Sequence, residues 1–264
     1  MKESALKKLE DIEITYLQSF TKGYKREWGY LFLNEDHPTY YDANHARVTN
    51  DPSNPEQVVE EVTAFYRSKN IIPRFYIPDA KKLPALTKAL LEKQYQIEYL
   101  DEIVQKWNGT LVEALEMKEI KVEKVNDDTY KYALDIECTI KEFGGREVRE
   151  KAFCEEYSHP NYTYYLLTYK GVPCSTACIF QTGKDARLEH VATLSEYRGK
   201  GLVGHLIHHI QREVKKLGLD TLWTIPINEQ VENVYLKYGF ETFRKGQMGH
   251  AFLGGKSIQE IRES

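Results

Sequence analysis

The stretch Tyr197–Ile207, YRGKGLVGHLI, gathers Arg198, Gly199, Lys200, Gly201 and Gly204 into one short run. It follows the apolar run Leu188–Leu194 and opens an amphipathic stretch that reaches Leu217. The order is strand, tight glycine-rich turn, helix, which predicts an open α/β arrangement around this point. Glycines turn without a Cβ penalty and let the backbone come close to a ligand. The first turn of a helix leaves N–H groups unpaired, and its dipole favours an anion there. Arg198 and Lys200 add positive charge where phosphate oxygens would sit.

Farther along lies NEQVENVYLKYGF, with Asn228, Tyr235, Gly239 and Phe240. With these residues in place the chain resembles the GNAT superfamily of acyl-CoA-dependent N-acyltransferases. That family carries Arg/Gln-x-x-Gly-x-Gly/Ala on a strand-to-helix turn. It then carries Asn, a spacer, Tyr, a shorter spacer and Gly-Phe. Arg198, Gly201, Asn228, Tyr235, Gly239 and Phe240 match, while Val203 stands where Gly or Ala is usual. Gly204 follows and partly compensates. The resemblance covers about Ile120 to Phe252.

The resemblance implies a GNAT-like acyl-CoA N-acyltransferase fold: α/β, with a mixed sheet and helices on both faces. It implies acetyl-CoA as co-substrate and no metal. The pyrophosphate is expected on the turn formed by Arg198, Gly199, Lys200, Gly201, Leu202, Val203 and Gly204. The pantetheine is expected along Val191, Ala192 and Thr193, on a strand splayed from its neighbour. Asn228 is expected to bond the pantetheine or nearby backbone; a helix N-cap is the plainer role, and the two are compatible. Tyr235 is the expected general acid, since a phenol with a pKa near ~10 is protonated at neutral pH. The plainer role is a packing tyrosine.

The base is less determined. An amine of the lysine type has a pKa near ~10.4 and must lose a proton before it attacks. Glu189 and His190 precede the expected cofactor strand. Strand alternation puts them on opposite faces, with Glu189 beside Val191 and Thr193. Glu189 in a dehydrated cleft is the candidate base, and a water chain is the alternative.

Composition narrows the class. Hydrophobic residues make up 41% of 264 positions, enough for packed cores, and the net charge is −4. That charge argues against a nucleic-acid scaffold. No apolar run approaches the ~20 residues of a membrane helix. The charged, periodic N-terminus lacks the core of a signal peptide, so the expectation is a cytoplasmic, bacterial protein. Cys138, Cys154, Cys174 and Cys178 lack paired metal spacing and read as free thiols.

Two domains are expected: a degenerate GNAT-like domain over residues 1–108 and a catalytic one over 118–264. Phe75-Tyr76-Ile77-Pro78 parallels Trp223-Thr224-Ile225-Pro226, each between helices. No glycine-rich phosphate turn precedes Pro55, so the first half is not expected to bind CoA. His205, His208 and His209 have metal-compatible spacing but no completing ligand, and read as solvated or capping histidines. The loop Asp36–Ala46, DHPTYYDANHA, reads as turns, and is also the N-terminal stretch best placed to touch substrate.

The expectation is an N-acetyltransferase acting in a ternary complex on a small-molecule or peptide primary amine, without nucleic acid or membrane, and a homodimer is open. The alternatives are a longer acyl chain, or a non-catalytic acyl-CoA sensor or scaffold.

Overall fold

The computed structural model describes residues 2–112, 117, 119–143 and 145–263. In chain order the elements are α1 (Lys2–Gln18), β1 (Lys22–Arg26), β2 (Gly29–Leu33), β3 (His45–Val48), α2 (Pro55–Arg67), β4 (Arg74–Ile77), α3 (Pro84–Glu92) and β5 (Gln96–Trp107). They continue with β6 (Ile120–Lys124), α4 (Tyr130–Glu137), α5 (Gly145–Ser158), β7 (Tyr162–Tyr169), β8 (Val172–Thr182) and β9 (Asp185–Thr193). Then come α6 (Leu202–Lys216), β10 (Thr221–Thr224), α7 (Glu229–Leu236), β11 (Phe240–Phe252) and α8 (Ile258–Glu263).

Two compact units interleave along the chain. One comprises Met1–Thr15 and Ile103–Arg244, the other Tyr16–Glu102 and Lys245–Ser264. Lys118, the expected start of the second domain, lies outside the described residues.

In the first unit the strand order is β11-β5-β10-β9-β8-β7-β6. Strands β6 to β9 form an antiparallel meander, β9 runs parallel to β10, and β10 runs antiparallel to β5. The sheet is therefore mixed, as expected. A β-strand followed by a parallel neighbour needs a crossover, and α6 supplies it. Leu202, Leu206, Ile207, Ile210 and Val214 of α6 recur at helical spacing and bury against Ala177, Ile179, Ala186, Leu188 and Leu222.

The second unit repeats this plan. Strands β1, β2 and β3 form an antiparallel meander, β3 runs parallel to β4, and β4 pairs antiparallel with β11. Its core joins Val58, Val62 and Tyr66 of α2 and Leu86 and Leu90 of α3 to Leu31, Ala46, Phe75 and Ile77. The succession β3-α2-β4-α3-β5 thus matches β9-α6-β10-α7-β11. The two aromatic-Ile-Pro segments fall at the equivalent strands β4 and β10. In each unit the strand beside that position comes from the other half of the sequence: Gln105 and Lys106 pair with β10, and Gly249–Phe252 pair with β4.

Candidate functional site

Strand β9 sets the geometry. Its parallel ladder with β10 runs through Asp185↔Thr221, Ala186↔Leu222 and Arg187↔Trp223, and β9 then continues alone to Thr193. On its other side it pairs with β8 through Leu188↔Ile179 and Glu189↔Cys178, and again through Ala192↔Thr176 and Thr193↔Ser175. Between those pairs His190 and Val191 stand opposite Ala177 alone. His190 takes a φ of +50°, so this is a β-bulge. Beyond Arg187 the edge of β9 turned away from β8 has no ladder partner in β10.

The bulge overturns the expected alternation. Val191 packs with Leu188 against the α6 side, whereas His190 Nδ1 lies 3.5 Å from Cys178 Sγ, the cross-strand partner of Glu189. Glu189 and His190 therefore share a face, and Val191 does not share it with Glu189. The extra residue shifts the period by one, which no count of alternating residues reveals.

Glu189 is nearly buried. Its Oε1 accepts from Arg187 Nε at 2.6 Å, and Arg187 also pairs with Glu13 of α1. Burial pushes the Glu189 carboxyl up, opposed by the Arg187 guanidinium; Glu13 and Glu156 push it further up. His190 is driven down to about 4, chiefly by burial, with Glu156 opposing.

Tyr235 sits on α7, 5% exposed, with its ring 5.3 Å from that of Phe240. Its hydroxyl bonds the Thr224 side chain, whose own hydroxyl donates to the Leu188 carbonyl at 3.3 Å. This chain of contacts holds the phenol where β9 and β10 part. Burial pushes the phenol up, and the nearby Glu189 charge adds to that.

After β9 the backbone makes a 3-10 turn over Ser195–Tyr197 and passes Arg198 to Gly199 and Gly201, both at φ +75°. Gly201 caps α6 without a side chain. A Cβ at Gly199 or Gly201 would meet nothing within 4 Å, so these glycines answer to backbone conformation and leave an open cradle. The helix N-terminus faces it with the N–H groups of Leu202 and Val203. Arg198 Nε donates to the Thr193 carbonyl at 3.0 Å, and Lys200 Nζ to the Glu196 carbonyl at 2.8 Å. Leu202 is buried in the core and Val203 packs against it, so the branched side chain at 203 is turned inward. Gly204 differs: its N–H donates to the Gly201 carbonyl at 3.0 Å, and Tyr238 occupies the space a Cβ would need. Asn228 caps α7, its Oδ1 accepting from Val231 N at 2.9 Å.

A buried polar group beneath this site escaped the sequence reading. Arg149 pairs with Glu156, and its Nε lies 2.6 Å from Glu137, off the N–H direction. Tyr164 bonds Glu156, and His190 Nδ1 lies 3.4 Å from the Tyr164 hydroxyl and 3.6 Å from Glu156. Burial pushes Glu137 up to about 8 and opposes the Glu156 charge as well, but the Arg149 guanidinium and the Tyr164 hydroxyl hold Glu156 below the usual carboxylate range. A charged residue at helical spacing reads as solvated; only the fold turns Arg149 and Glu156 inward. Glu147, Glu150 and Glu155 do stay exposed.

His208 Nδ1 lies 2.9 Å from the Val112 carbonyl and His209 packs on Tyr165, in line with a structural role. Among the described residues no group of three His, Cys, Asp or Glu side chains is placed to hold a metal. Also among them, no helix is long and apolar enough to cross a membrane. In the 36–46 loop Asn44 bonds three backbone groups, as turns require, and Asp42 accepts from Tyr76 of β4 at 2.8 Å.

Residues 130–240 match the model of the Acetyltransferase (GNAT) family. The chain carries a GNAT-family domain. Of curated proteins, glycine N-phenylacetyltransferase of Bos taurus is 38% identical over 77 residues, which is 29% of this chain. The match spans only 25% of that relative's length. A GCN5-related N-acetyltransferase from Kribbella flavida has a similar solved structure, with a TM-score of 0.70 at 16% identity over 96% of this chain and 97% of that one. A functionally unknown protein from Staphylococcus epidermidis has a TM-score of 0.67 at 13% identity over 88% and 93%. A tandem GNAT protein from the clavulanic acid biosynthesis pathway has a TM-score of 0.54 at 11% identity over 81% and 76%. At such identities the likeness to solved structures is one of fold. The GNAT fold, with its mixed sheet, is the fold of this chain, and acyl transfer is the chemistry of the family.

Proposed function

We propose that the protein is an acyl-CoA-dependent N-acyltransferase that moves an acetyl group to a primary amine by direct attack in a ternary complex. The observation that carries this is the parting of β9 from β10 beside the glycine-capped start of α6. The cradle suits a pyrophosphate, bounded by Gly199, Gly201 and the N–H groups of Leu202 and Val203, with Arg198 and Lys200 as cations. The edge of β9 at Val191, Ala192 and Thr193, beyond its ladder with β10, suits the pantetheine amides. Asn228 stays the cap of α7 and flanks that edge.

Acyl-CoA supplies a thioester whose C–S bond breaks as the amine nitrogen bonds to the acyl carbon. Glu189 takes the proton the amine must lose, and its buried, upward-shifted carboxyl is a better proton acceptor than a solvated one. Tyr235 gives its proton to the departing sulfur. Its upward-shifted phenol stays protonated across the neutral range. The acceptor is a small-molecule or peptide amine. The second unit lacks this cradle: Asn54 caps α2 by accepting from Gln57 N, and Pro55 removes one N–H of the first turn.

A second reading, a bulkier acyl group, is favoured by the relative whose name specifies phenylacetyl transfer. Incubating the protein with acetyl-CoA or phenylacetyl-CoA and a panel of primary amines, and following free thiol, tests both. Thiol release that depends on the amine supports acyl transfer, and the preferred thioester decides between them. Binding of both thioesters without turnover over the whole panel would leave a sensor or scaffold.

A further inference from the structure

We propose that Arg187 and Glu13 are positioning residues for Glu189, so that helix α1, from the start of the chain, takes part in setting the reactive carboxylate. The proposal rests on Glu189 acting as the base.

The geometry is a ladder of alternating charge along one face of β9. Asp185, Arg187 and Glu189 occupy successive positions on that face, before the bulge. Lys8 of α1 reaches Asp185 at 3.4 Å, and also Asp220 at 3.6 Å. One to two turns on, Glu13 meets Arg187, whose Nε donates to Glu189 Oε1 at 2.6 Å. Ile12 beside it is fully buried, so α1 is seated by packing as well as by charge. Arg187 Nη1 is committed to Glu13 and its Nε to Glu189; Arg187 is 7% exposed and both carboxylates are 15% exposed. A planar guanidinium held by Glu13 through Nη1 fixes the direction in which its Nε meets Glu189. Glu189 directly precedes the bulge, beyond the last rung of the β9–β10 ladder at Arg187.

Other groups face Glu189. Glu156 of α5 adds negative charge, itself balanced by Arg149. Cys178 of β8 and Tyr235 of α7 lie within electrostatic reach, and both are neutral near pH 7 because burial pushes them up. His190 is neutral as well. Charged control of Glu189 therefore falls to Arg187 on one side and to Glu13 and Glu156 on the other.

Two substitutions move Glu189 in opposite directions. Arg187→Gln removes the cation and should raise the Glu189 titration by about one unit. Glu13→Gln removes a negative charge and should lower it by roughly half a unit. Arg187→Lys keeps the charge but loses the planar two-point contact, so it should restore most of the titration and little of kcat. The readouts are the acid limb of kcat/KM against pH and the titration of 13C-carboxyl-labelled glutamate, with Glu189 assigned by its loss in Glu189→Gln. The NMR titration needs no turnover. Opposite shifts of Glu189 support the clamp, and equal or absent shifts overturn it. Absence of thiol release by the wild type with every amine instead sinks the acyl-transfer reading, whatever the titration shows. Should Arg187→Gln fail to fold, the Glu13→Gln shift decides alone.

Discussion

Gly204 and Tyr238 fill one space: a Cβ on Gly204 would overlap the Tyr238 hydroxyl and ring. The same helix holds that corner again where Gln211 Nε2 donates to the Tyr238 carbonyl at 2.6 Å. Inside a helix Ala is favoured over Gly by about 0.5–1 kcal/mol. Overpacking costs about 1–3 kcal/mol and should win here. Gly204→Ala is therefore expected to lower stability in urea unfolding, and Tyr238→Leu to recover part of the loss in the double variant. Simple additivity of the two single effects would show that the residues do not share the space.

Gly201 has open surroundings, so its role differs. At φ +75° and ψ 3° a residue with a Cβ costs roughly 1–2 kcal/mol. Gly218, at φ +65° with nothing within 4 Å of a built Cβ, carries the same backbone cost at the far end of α6. Gly201→Val and Gly218→Val should lose similar stability. Only Gly201→Val should weaken acetyl-CoA binding, by at least about tenfold, or ~1.4 kcal/mol. Calorimetry on both variants tests this, and equal affinities would move the pyrophosphate site elsewhere.

Tyr235 joins the core to the gap between β9 and β10 through Thr224. Tyr235→Phe keeps the ring against Phe240 and removes only the proton donor. Turnover should fall by about 10²–10⁴-fold where chemistry limits the rate, with acetyl-CoA affinity nearly intact. Because the phenol is shifted up, its ionisation should place no basic limb on kcat in the neutral range. Wild-type turnover in the variant would remove Tyr235 from the mechanism.

Much of this was legible in the residues. The mixed sheet, the strand-turn-helix at Gly199–Gly201 and the cap at Asn228 follow from local chemistry: positive φ at glycine, and an Asn side chain ahead of a helix. The repeat of aromatic-Ile-Pro segments marks strands β4 and β10 of two like-built units. What local chemistry could not give was the bulge at His190, because an inserted residue leaves no mark on composition. Nor could it give the inward turn of Arg149 and Glu156, since charge at helical spacing looks solvated until a partner is placed. The interleaving of units was equally hidden: long-range pairing of Gln105 and Lys106 with β10 has no short-range signature.

That pairing bears on truncation. Removing residues 1–108 would delete the β5 partner of Trp223 and Thr224, the Trp107 side chain that packs in the first unit's core, and the α1 contacts to Asp185 and Arg187. A 109–264 fragment is therefore expected not to fold cooperatively, with urea unfolding broad and near-ultraviolet dichroism lost. A fragment with a sharp transition and retained acetyl-CoA binding would show that β5 and α1 are dispensable to the first unit.

In the second unit His45 is fully buried, its ring stacked on Tyr76 at 4.1 Å and 20°. The carbonyls of Asp42 and Tyr41 lie near it, but neither ring nitrogen makes a hydrogen bond of good geometry. Burial drives its pKa from 6.5 down to about 3, helped by Arg47 and His250. A folded pKa below the unfolded one means the unfolded state binds the proton more readily. The contribution is thus full above pH 6.5 and is lost as pH falls towards 3. His250, lowered to about 4, acts in the same sense but is bonded to Arg74 and Glu98, so replacing it would also remove a hydrogen bond from each. His45→Phe keeps an aromatic ring against Tyr76 and takes up no proton. Its unfolding free energy should match or exceed that of the wild type at pH 7.5, and should fall less steeply between pH 6.5 and 4. Parallel curves for the two proteins would show that His45 is not among the groups that make the fold acid-sensitive.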